Sequence, residues 1–262
     1  MTPLLLSSQF PESDPAELAA LALELGYEGL DLAVTGRPGP GSGELIAQLA
    51  AAGAPVGLLT LDEADPDTVE DWAALAATAG CAALRTAPWP DDEPLRRLCE
   101  LAAAGRQHGV QVLVPNQSGS GLREPAALVE HLAAYDPSCL AAALAPDQVP
   151  RWRDSDPAAW LAAQTLPPLG CVVLANYRWT SEVGAGNVRV WSTRAAPAAQ
   201  GLTCWPAWFD RLAHDGFDGL ITFGDPSLAA TMADRLRLAR DDLRFVRRTW
   251  ERRSHRGVVL DA

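Results

Sequence analysis

A polar set rich in amides falls at the ends of the strand-like segments of this chain: Gln9, Asp31, Asp62, Arg85, Asn116, Gln117, Gln148, Asn176, Arg178 and Arg194. Amides, guanidinium groups and scattered carboxylates suit hydroxyl-rich ligands, because each hydroxyl both donates and accepts a hydrogen bond. Trp89, Trp152, Trp179 and Trp191 follow the fourth, sixth and seventh segments, where an indole ring can stack on the C–H face of a sugar or pack a loop onto the body of the protein. Asp31 and Arg85 can equally satisfy each other as an interior ion pair. Asp147, Gln117, Asn176 and Asp31 together make at best a weak oxygen site for a divalent cation, since neutral amides bind such ions poorly. Histidine adds nothing to it: His108 ends a helical run, His131 lies within another, His214 precedes a glycine turn and His255 is in the tail.

Composition narrows the chemistry further. All 21 basic residues are arginine, so no lysine exists to form a Schiff base. A net charge of −12 disfavours nucleic acid as a partner, because phosphate backbones reward clustered positive charge. The stretch from 235 to 262 is the exception, with nine Arg against four acids, and reads as a closing amphipathic helix whose arginines lie on acidic neighbours. The five cysteines are odd in number, widely spaced and set in apolar segments without a CxxC pair, which predicts buried reduced thiols rather than disulfides or zinc. No apolar run approaches a membrane span, and the N-terminal residues 1–6 lack the basic flank and length of a signal peptide, so a cytoplasmic protein without a membrane partner is expected.

The elements that must position these residues follow one rhythm. Strand-like segments at about 3–8, 28–33, 55–61, 82–87, 110–115, 139–145, 170–176 and 219–224 alternate with Ala/Leu-rich stretches of helical spacing, such as 15–25, 44–52, 69–79 and 94–108. Gly26-Tyr27-Glu28-Gly29-Leu30 and Gly216-Phe217-Asp218-Gly219-Leu220 each follow a helical run and open an apolar strand, which is the joint of an αβ unit. Eight such units in 262 residues predict one α/β domain over 1–262, a single (β/α)8 TIM barrel, closed by an Arg-rich helix at about 227–256. Residues 177–201 read as a long loop over the active face of that barrel.

These joints, the Arg85 strand and Gln107-His108-Gly109-Val110 together resemble the xylose isomerase-like TIM barrels, the sugar phosphate isomerase/epimerase superfamily that also includes endonuclease IV. The resemblance spans nearly the whole chain and implies divalent ions held by Glu, Asp and His at the ends of strands five to eight. It places Pro115 for the Glu and Gln117 for the His of strand five. On strand six it places Ala145 for the Asp and Gln148 for the His, and on strand seven Val173 for the His and Asn176 for its Asp. Gly224 stands where the last Glu belongs, with Asp225 one step on. No metal is therefore expected, with a weakly bound divalent ion as the runner-up.

The resemblance implies a divergent isomerase/epimerase-like protein that binds a sugar- or polyol-like small molecule. Arg85, Asn116, Gln117, Gln148, Asn176, Arg178 and Trp179 would make the contacts. An active isomerase or epimerase would need paired carboxylates, for which Asp31 and Asp147 are the candidates. A non-catalytic scaffold or subunit is the remaining alternative, and a homo-oligomer is compatible with any of these readings.

Overall fold

The computed structural model describes residues 1–62, 65–88, 94–116, 122, 125–146, 161, 164–183, 189–224 and 231–254. In chain order these form β1 (Thr2–Leu6), α1 (Pro15–Leu25), β2 (Gly29–Val34), α2 (Ser42–Ala51), β3 (Val56–Leu61), α3 (Pro66–Ala79), β4 (Ala83–Arg85), α4 (Pro94–His108) and β5 (Gln111–Pro115). There follow α5 (Pro125–Leu132), β6 (Leu140–Leu144), β7 (Leu169–Leu174), β8 (Asn176–Val183), β9 (Arg189–Ala196), α6 (Trp205–His214), β10 (Leu220–Phe223) and α7 (Met232–Ser254). Eight strands close a parallel barrel in the order β1-β10-β7-β6-β5-β4-β3-β2. The (β/α)8 expectation is met.

Both Gly-aromatic-acid-Gly joints work the same way. Gly26 and Gly216 take φ of 88° and 71°, a left-handed turn open to glycine. Tyr27 N–H then donates to Ala22 O and Phe217 N–H to Leu212 O, both at 2.9 Å, satisfying the last carbonyls of α1 and α6. The second glycine is there for space: a Cβ on Gly29 would lie 2.5 Å from Pro55 O, and one on Gly219 2.6 Å from Gly170 O. The aromatic residue packs on the core as well, Phe217 partly buried and Tyr27 buried, edge-on to Phe223 with its hydroxyl donating to Ala239 O at 2.9 Å. Burial holds that phenol well above its usual pKa.

Strand parity then sorts the side chains. Leu5, Leu30, Leu59, Leu84, Val112, Val172 and Ile221 face outward into the core beneath the helices. Leu4, Leu58, Ala83, Leu113, Ala141, Ala143 and Cys171 fill the barrel interior as a separate apolar cluster. This is the alternation expected of strands buried on both faces.

Two expectations are corrected. Most of residues 177–201 form an antiparallel ribbon, in which β8 pairs β9 from Asn176↔Ala196 to Val183↔Arg189. The cysteines are reduced, but only Cys81 and Cys171 are buried, while Cys99 and Cys204 are exposed and Cys139 is intermediate. The closing helix, Met232–Ser254, pairs its arginines with acids as expected, among them Arg235 with Glu12, Arg240 with Glu24 and Arg253 with Asp210. No described helix is long and apolar enough to cross a membrane.

Candidate functional site

Inside the barrel, one step above the apolar cluster, four polar side chains converge from four strands. Asp31 on β2 is fully buried. Thr60 Oγ1 on β3 donates to its Oδ1 at 2.6 Å, and Thr222 Oγ1 on β10 donates to its Oδ2 at 2.5 Å. Arg85 on β4 adds a longer contact, Nη2 to Oδ2 at 3.3 Å, with its side chain 12% exposed. A buried carboxylate needs this company, because an unpaired charge in the interior is costly. Arg85 and Asp31 do pair inside the barrel. Their two threonine partners escaped the sequence reading, although a threonine at inward parity in an otherwise apolar strand was the available signal.

Among the described residues, the ends of the strands around this layer carry little that could ligate a cation. Pro115 ends β5 and pairs with Ala143, Val173 on β7 pairs with Thr222, Ala145 follows β6, and Gly224 follows β10 with its N–H on Leu174 O at 3.0 Å. None of these side chains has a lone pair to offer a divalent ion. Among the described residues, no three of His, Cys, Asp and Glu come together as a metal cluster. His108, at the end of α4, lies 3.9 Å from Glu70, while His131 and His214 sit in the last turns of α5 and α6. Gln117, Asp147, Gln148, Asp225, Trp89, Trp152 and His255 lie outside the described residues.

Two asparagines of the expected binding set are engaged within the chain. Asn116 is fully buried, accepting from Ala145 N at 2.5 Å and donating to Ala145 O at 3.1 Å, so it splices the ends of β5 and β6. Asn176 clamps the base of the ribbon. Its amide donates to Ala198 O at 2.8 Å and Thr203 O at 3.4 Å, and its carbonyl accepts from Thr203 N at 2.9 Å and Tyr177 N at 3.0 Å. Arg178 and Trp179 are carried on the ribbon itself, Trp179 being 48% exposed.

Arg178 faces a second region. Together with Gln200, Asp234, Arg237, Asp241 and Asp242 it lines a cleft of about 720 Å³ between the base of the ribbon and α7. There Asp242 accepts the N–H of Ala198 at 2.9 Å. Burial pushes its carboxyl up to about 7, neighbouring Asp241 pushes the same way, and the Ala198 N–H pulls back. Because the folded pKa lies above the ordinary carboxylate value, the folded state holds the extra proton between them, so this group's contribution to stability falls as pH rises from about 4 to about 7. Asp242→Asn is expected to flatten the fall in Tm across that window and to leave the protein at least as stable as the wild type at pH 8. Thermal melts of both proteins in a pH series check this, and parallel curves would remove Asp242 from the account.

No protein-family model matches the chain, and no curated protein sequence does. Its fold does have counterparts among solved structures. A xylose isomerase-like TIM barrel protein from Mycobacterium smegmatis, in complex with magnesium, aligns over 97% of this chain and 97% of its own with a TM-score of 0.73 and 13% identity. An L-ribulose 3-epimerase aligns over 100% of this chain and 98% of its own (TM-score 0.71, 14% identity). A D-allulose 3-epimerase from Methylomonas sp. aligns over 95% and 98% (TM-score 0.65, 14% identity). At such identities the likeness is one of fold.

Proposed function

We propose that this chain, a barrel of the xylose isomerase-like fold, binds a sugar- or polyol-like small molecule at its mouth through hydrogen bonds and without a resident divalent ion. The observation that supports this best is the pairing of ligand-poor strand ends with an interior carboxylate already engaged by Thr60, Thr222 and Arg85. Pro115, Ala145, Val173 and Gly224 stand where the resemblance would put cation ligands, so the described residues at these positions do not fit the divalent ion of such isomerases. A hydroxyl-rich ligand needs no such ion to be held. The Arg85 guanidinium, the Thr60 hydroxyl and backbone groups at the strand ends offer it donors and acceptors within one mouth.

Isomerisation or epimerisation through Asp31 and Asp147 is the less favoured reading. A general base must reach the proton it removes, and Asp31 lies beneath the mouth with both oxygens occupied. Titration calorimetry with a panel of four- to six-carbon sugars and polyols, repeated with chelator, tests the proposal alongside elemental analysis of protein purified without chelator. Binding that is indifferent to chelator, with metal far below stoichiometric, is the expected result. About one ion per chain, with binding or epimerase turnover lost on chelation and restored by manganese or magnesium, would overturn it. Absence of binding across the panel would favour the scaffold.

A further inference from the structure

We infer that Arg85 is a receptor for an oxyanion on the ligand, so that the molecule this barrel takes is an acidic sugar derivative carrying a carboxylate or a phosphate. The inference rests on the reading above that the mouth accepts a sugar- or polyol-like ligand. Three observations carry it. First, Asp31 does not use up the guanidinium: the two threonine hydroxyls hold the carboxylate at 2.5 and 2.6 Å, whereas Arg85 touches it through one nitrogen at 3.3 Å. Second, the other N–H groups of Arg85 meet no partner among the described residues, and none of its nitrogens is among the buried polar atoms cut off from both solvent and partner. Third, the Arg85 side chain keeps 12% of its surface exposed, and among the described residues at the strand ends Ala33 is exposed and Thr60, Val173 and Gly224 are partly exposed.

Arginine presents five donors in a planar fork that matches carboxylate and phosphate oxygens, and its charge cannot be titrated away. One nitrogen rests on Asp31. The remaining N–H groups are left for a ligand at the mouth. A neutral polyol would form only singly charge-assisted hydrogen bonds with these donors, and an oxyanion would meet them with a full counter-charge.

Matched pairs that differ only at one terminal carbon test this directly: xylitol against D-xylonate and sorbitol against D-gluconate, with sorbitol 6-phosphate as a third arm. In wild-type protein at low salt, the acid or the phosphate is expected to bind at least about tenfold more tightly than its neutral partner, the worth of one charge-assisted hydrogen bond. The margin should narrow as salt is raised, and the two anionic arms separate a carboxylate from a phosphate as the group recognised. Because Arg85→Gln alone strands Asp31, the comparison variant is Asp31→Asn/Arg85→Gln, in which the margin between the acid and its neutral partner should vanish. Neutral polyols that bind as tightly as their acids would overturn the inference and leave the polyol reading standing. No binding by any member would overturn both, and a margin that survives in the double variant would place the oxyanion receptor elsewhere.

Discussion

Asp31→Ala is expected to lower the unfolding free energy by about 4 kcal/mol, because truncating one partner of a buried pair leaves the other charge uncompensated. The change removes the acceptor of two threonine hydroxyls and the counter-charge of Arg85 at once. For a chain of this size it should bring Tm down by about 10 °C. Urea denaturation followed by circular dichroism measures the free energy, and a loss below about 1 kcal/mol would show that the carboxylate is dispensable. The pair as a whole is another matter. Replacing both charges with apolar residues of similar volume, Asp31→Leu/Arg85→Met, should recover most of the loss, since desolvating two ions offsets much of their attraction.

Asn176→Ala should cost about 3 kcal/mol and act on a different part of the molecule. Its side chain serves four backbone groups on Tyr177, Ala198 and Thr203, and truncation strands them in a buried place. The site is also sterically committed, because a Cβ on Gly201 would stand 2.1 Å from the Asn176 carbonyl oxygen. Amide hydrogen exchange should therefore quicken in β8 and β9 in both Asn176→Ala and Gly201→Ala, while the barrel strands keep most of their protection. Asn176→Asp, which retains the acceptor and loses the two donated bonds, should fall between wild type and alanine. Unchanged exchange in the ribbon would mean that its base is held by something else.

The barrel was legible because each joint writes its own geometry. A helix end, a left-handed glycine, an aromatic packed on the core and a glycine pressed against the next backbone need particular residues in a fixed order, and Gly26 to Gly29 and Gly216 to Gly219 supply them. The polar residues were harder to place, because an asparagine at a strand end serves a ligand or a neighbouring backbone equally well. Only the partners decide, and for Asn116 and Asn176 those are carbonyls and amides 22 to 29 residues away, apart from the adjacent Tyr177 N–H. The Asp31–Arg85 pair could be foreseen as one option, since both lie on inward positions of alternate strands. The ribbon had a signal in the alternation of Tyr177, Trp179 and Val183 with Arg178, Thr180 and Glu182, blurred by Ser181 in the apolar phase. An arrangement of one strand per repeat left no place for two more.

The polar layer also dates the moment at which the fold is finished. Asp31 and Thr222 stand 191 residues apart, and a stretch of that length separates β2 from β10, the strand that closes the ring. On a ribosome adding about 5–20 residues per second, the carboxylate waits on the order of 10–40 s for its last hydroxyl to be synthesised. Until then β1 and β7 have open edges, and the charge cannot be buried with its full set of donors. Barrel assembly is thus bound to be a late and cooperative event in the life of the nascent chain. The hydrogen bond from Thr222 to Asp31 forms only once the ring of strands is complete.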